Sequence, residues 1–98
     1  MEKKTEKKSP ALKKQLEEGR TQLLALRDEI RLHVHLGGMD LRDRWAELEP
    51  RVAEAERYAG EVTEASRAAM QDLVKRFREL SDALARVRRQ QQVGRHAE

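Results

Sequence analysis

His33 and His35 are the first side chains in this chain whose type and spacing could do chemistry. On a strand an H-x-H pair turns both imidazoles to one face, as in some metal sites, whereas on a helix it points them about 200° apart. No cysteine is present and no third ligand is obvious, so the pair reads as ordinary polar residues beside a turn. A pH-sensitive contact is the remaining role, because histidine titrates near neutral pH. Helical bundles hold paired metals through Glu-x-x-His, but here Ile30 stands three residues before His33 and Glu29 four before it. Asp40, Asp43 and Glu47 share a helix face with Arg44 and Arg51 beside them, which is the pattern of a solvated stripe. No metal site or cofactor is expected.

Catalytic signatures are missing too. Gly37-Gly38 lacks the lysine and spacing of a phosphate-binding loop. No serine lies in a nucleophile elbow. Carboxylates abound, but on helices this charged they are solvent partners before they are acid–base groups. No catalytic residue is assigned, and the chain reads as a non-enzyme.

Cations form the third group. Residues 1–14 carry six Lys against two Glu, residues 84–98 four Arg against one Glu, and the body between holds eleven basic and fifteen acidic residues. Lys3, Lys4, Lys7, Lys8, Lys13, Lys14, Arg86, Arg88 and Arg89 could therefore touch phosphates from two basic ends. Such binding would be sequence-independent and lost in salt. Glu2 and Glu6 dilute the head, and aromatics that would stack bases are lacking, so nucleic acid is the lesser alternative. A membrane surface is a further one: Arg-flanked amphipathic helices can lie at an interface, but the seam from Val52 to Ala69 is mostly Ala and Val, a weak lipid anchor.

The elements that must carry these residues are helical. Leu41, Trp45, Leu48, Val52, Ala55, Ala59, Val62, Ser66, Ala69, Leu73, Phe77, Leu80, Leu84 and Val87 recur every three or four residues. That is the period of an amphipathic helix laid along a partner. With 98 residues, 40% charged and 3% aromatic, one small helical domain is affordable and a β-sandwich core is not. No secretory leader or membrane span is visible, so a cytoplasmic protein is expected. In composition the chain resembles small bacterial helical-hairpin proteins.

The expected fold is all-α: an antiparallel helical hairpin with one long arm, coiled-coil-like. Residues 1–8 read as a disordered basic tail. Ser9-Pro10 starts a helix, with Ser as cap and Pro at the first helical position. That helix runs over 9–36, and Gly19 weakens its seam. Residues 30–36 also alternate like a strand, but helix is favoured, since a lone strand has no partner. Gly37-Gly38 makes the corner, over 37–39, through left-handed conformations. Asp40 caps a long helix over 40–91, kinked near Pro50 but in phase across it. Residues 93–98 form a second disordered tail. Folding at the corner brings Leu23, Leu26 and Ile30 against Trp45 and Leu48 as the hairpin core.

The first helix, about 40 Å, cannot cover a second of about 75 Å. Leu73, Phe77, Leu80, Leu84 and Val87 would then form an exposed stripe, each side chain worth roughly 1.5–3 kcal/mol when buried. A second copy packed antiparallel would cover it and complete a four-helix bundle. The expected function is structural or adaptor-like, through coiled-coil packing and self-association, with a dimer favoured and another protein along 73–87 as the other partner.

Overall fold

The structure, a computed structural model, describes residues 10–96, with side chains to Gln91. Lys3, Lys4, Lys7, Lys8 and the Ser9 cap lie outside the described residues. The helices are α1 (Pro10–His33), α2 (Met39–Leu48), α3 (Val52–Gly60) and α4 (Glu64–His96), with 3-10 turns at Val34–Leu36 and Glu49–Arg51. The all-α class stands.

Pro50 sits in the second 3-10 turn, and Leu48, Glu49, Arg51 and Val52 all keep right-handed helical backbone. A proline removes one backbone donor and crowds the turn before it; one tightened turn absorbs both effects. α2 and α3 therefore form a single rod.

That rod ends at Gly60, and a helix unbroken over 40–91 is not formed. Glu61 turns extended (φ −116°, ψ 98°), its N–H donating to Tyr58 O at 3.0 Å. Thr63 then opens α4. Its Oγ1 accepts from the Ser66 N–H at 3.0 Å, and its carbonyl accepts from Arg67 N–H at 3.0 Å. This is an N-cap by a hydroxyl residue, typically worth about 1 kcal/mol. The buried Ser66 hydroxyl also donates to Glu61 Oε1 at 3.4 Å, tying the turn to the helix it starts. The C-terminal end differs as well: α4 stays helical through 93–96, a stretch expected to be a disordered tail.

The reversal lays α4 back on the other two rods, so that three rods pack together. Arg20–Glu56 and Arg31–Glu49 ion pairs run α1 antiparallel to the α2–α3 rod. Gly19 against Met70 and His33 against Arg88 run α1 parallel to α4. Leu16, Leu23 and Ile30 of α1, Trp45 and Ala55 of the middle rod, and Met70, Leu73, Val74, Phe77, Leu80 and Leu84 of α4 form one buried cluster. Leu26 and Leu48 pack half-buried against it.

Leu73, Phe77, Leu80 and Leu84 were expected to meet a second copy. They are at most 2% exposed within one chain, and Val87 is half-buried. The intermolecular stripe is thus corrected to an internal core, because the turn at 61–63 supplies from the same chain the cover a dimer would have given. Trp45 and Phe77, assigned above to different interfaces, meet edge to face with ring centroids 5.6 Å apart.

The corner also differs from expectation. Neither of its glycines has positive φ; Gly37 (−80°, 158°) and Gly38 (−75°, −174°) are extended. Gly37 is required by space instead. A Cβ there would lie 2.8 Å from Leu41 Cβ and 3.1 Å from Leu84 Cδ2. Gly38, not Asp40, holds the N-cap position of α2, without a side-chain bond; Asp40 adds its charge to the first turn.

Candidate interaction surface

α1 faces a neighbour on each side, and the two junctions are built differently. Toward the middle rod, Arg20 Nε lies 2.8 Å from Glu56 Oε1, and Arg31 Nη2 lies 2.8 Å from Glu49 Oε2. Toward α4 the helices leave an open groove of about 390 Å³, whose lining includes Gln15, Glu18 and Gln22 from α1 and Arg67, Lys75 and Arg78 from α4. Its floor includes Gly19, Met70 and Val74. A Cβ on Gly19 would sit 2.6 Å from Met70 Cγ, so the missing side chain is what lets Met70 close the floor.

The two rims carry opposite character. The α1 rim is carboxamide and carboxylate; the α4 rim is cationic. Among the described residues no ion pair or hydrogen bond joins Gln15, Glu18 or Gln22 to Arg67, Lys75 or Arg78. Arg67 is held locally by Glu64 at 2.8 Å. The rods are bridged only further up, where Arg88 Nη1 lies 2.6 Å from His33 Nε2.

Elsewhere the charges are settled within helices. Arg51, in the 3-10 turn at Pro50, pairs with Glu54 (Nη2–Oε1 3.2 Å). That hydrogen bond holds the Glu54 carboxyl below the usual carboxylate range and raises Arg51; Tyr58 Oη adds a bond at 3.2 Å. Asp72 is lowered in the same way by Arg76 at 2.9 Å.

Of the expected phosphate contacts, Lys13, Lys14, Arg86, Arg88 and Arg89 are among the described residues. Lys13 and Lys14 are exposed near the start of α1, and Arg86 and Arg89 are exposed near the end of α4. Because α1 and α4 run parallel, these pairs sit at opposite ends of the bundle, and Arg88 is engaged by His33. Lys75 and Arg78, absent from the sequence-derived set, lie between them on α4. His33 and His35 also part: His35 is exposed in the 3-10 turn, its carbonyl accepting from Arg42 Nη2 at 3.5 Å. Among the described residues no group of three or more His, Asp or Glu side chains gathers as metal ligands would, and no helix is long and apolar enough to cross a membrane.

The fold and surface together define a small three-rod helical bundle with an open groove between α1 and α4. Compared with protein-family models, curated proteins and solved structures, the chain matches none.

Proposed function

We propose that this chain is a non-catalytic structural or adaptor module that works by helix packing, offering its α1–α4 groove to another helical surface. The observation that supports this reading is the groove itself, whose acidic-amide and cationic rims are not bridged to each other among the described residues, beside a junction where comparable charges pair across the helices. A second copy is the simplest occupant. A two-fold axis along the bundle sets the Gln15–Glu18–Gln22 rim of each copy opposite the Arg67–Lys75–Arg78 rim of the other. The apolar floor is narrow, which favours a weak, salt-sensitive dimer over an obligate one.

Sedimentation velocity at two protein concentrations tests this. A concentration-dependent dimer that Lys75→Glu/Arg78→Glu abolishes supports the reading. A monomer at every concentration and low salt refutes self-association through the groove.

A second reading rests on a separate observation. Lys75, Arg78, Arg86 and Arg89 lie along one stripe of α4 spanning about 21 Å of helix, with no ion pair within 4 Å among the described residues and with Asp72 beside Lys75. Such a stripe could follow a phosphate backbone without reading sequence. Titration with random duplex DNA at low and moderate salt tests it; no binding at low salt removes it.

A further inference from the structure

The upper end of the α1–α4 junction has a construction found nowhere else among the described residues: an arginine held by a histidine. Arg88 Nη1 approaches His33 Nε2 to 2.6 Å and Nδ1 to 3.5 Å, and His33 Nδ1 lies 3.2 Å from the Glu29 carbonyl and 3.6 Å from Glu29 Oε2. A guanidinium can only donate hydrogen bonds, so it needs an accepting ring nitrogen, and a doubly protonated imidazole has none. The ring thus sits between two helices, nearer Arg88 of α4 at Nε2 and nearer Glu29 of its own helix at Nδ1.

The position gives the contact its weight. His33 is the last residue of α1, so beyond Arg88 the final turns of α4 have no α1 alongside them. The cleft around the ring is small and lined by Glu29, Ser81, Leu84, Ala85 and Arg88. Its charged groups are Glu29 from α1 and Arg88 from α4, and the middle rod contributes none of the lining. The imidazole, 22% exposed, is open to protons from solvent.

We propose that His33 is a proton-operated latch: the neutral ring holds Arg88 and with it the end of α4, and the imidazolium releases Arg88 and turns to Glu29. Protonation places a hydrogen on the nitrogen that had accepted, and two cations would then stand at hydrogen-bond distance. Arg88 must leave. The Glu29 carboxylate, already near Nδ1, holds the new charge on α1.

NMR on the full chain tests this directly. The ring signals of His33, the Arg88 side-chain N–H signals and the backbone amides of 85–91 are followed from pH 7.5 to pH 5. The expected result is one shared titration, with hydrogen-exchange protection of amides 85–91 falling roughly tenfold after correction for intrinsic rates. His33→Gln should abolish that pH response, and His35→Gln should leave it intact. Arg88→Gln should leave the His33 ring titrating while the α4 amides no longer follow it. The proposal is overturned if the wild-type ring titrates without moving the Arg88 signals, or if His33→Gln keeps the same loss of protection.

Discussion

α1 holds its two neighbours by unlike means. Against the middle rod it uses long ion pairs that reach across the helix boundary, Arg20 to Glu56 and Arg31 to Glu49. Against α4 it uses the absence of a side chain at Gly19, a methionine that fills the space, and one histidine contact at the far end. Both junctions share the Leu16–Leu23–Ile30 ridge. The lesson is that apolar burial joins all three rods, while polar chemistry separates a finished surface from an unfinished one.

The largest effect should come from removing what the two junctions have in common. Phe77→Ala is expected to cost about 3–5 kcal/mol, since the ring is wholly buried and stacked edge-on to Trp45. Thermal melting followed by circular dichroism should find one cooperative transition at lower temperature. A variant that keeps its melting temperature and only changes mass would restore the intermolecular stripe.

Glycine variants break one junction at a time. Gly37→Ala drives a Cβ into Leu41 and Leu84 at the corner and is expected to destabilise by about 1–3 kcal/mol. Gly19→Ala gains about 1 kcal/mol of helix propensity but meets Met70. A net loss is expected, and Met70→Ala made together with it should cost less than the two separate losses added. Additive costs would mean Gly19 and Met70 do not couple.

Smaller effects sharpen the contrast between the sealed and open sides. A double-mutant cycle on Arg20 and Glu56 should give a coupling of about 0.2–1 kcal/mol that fades with salt, whereas a cycle on Gln22 and Lys75 should give none. Gln22→Glu places a carboxylate on the α1 rim opposite Lys75 and Arg78. It should raise stability slightly in low salt.

The smallest effect is with pH. The depressed carboxyls of Glu54 and Asp72 contribute stability that is present above their ordinary values of 4.5 and 3.8 and is lost as pH falls through their lower folded values. Asp72 is exposed and Glu54 only half-buried, so denaturant midpoints should be flat above about pH 5 and decline gently in acid. Glu54→Gln should lessen that acid slope.

The helical class was legible in the three- and four-residue spacing, and the register of apolar positions from Leu41 to Leu84 was readable without coordinates. The reversal at 61–63 was not, because the loop is three residues long and leaves the spacing in phase. Ala59, Val62 and Ser66 follow one another as they would along a straight rod. The signal that could have found it is local: Gly60 closing one helix, then Thr63 capping Glu64-Ala65-Ser66. The groove was hidden for the same reason. Gln15, Glu18 and Gln22 acquire meaning only once α4 lies beside them, and Gly19 read as a weakness until Met70 was seen to need its space.

A pull applied to Pro10 and to the end of α4 would load the two parallel rods in shear. Parallel rods tied at opposite ends must slide past each other along their full overlap before either comes free. Leu16, Leu23 and Ile30 would all have to leave their seats together, rather than one turn at a time as in an unzipping hairpin. The same sequence folded as a simple hairpin would peel. Folded as it is, the bundle would resist stretch along its axis as a short, stiff link, and would yield more readily to a force that pries the middle rod away from the side.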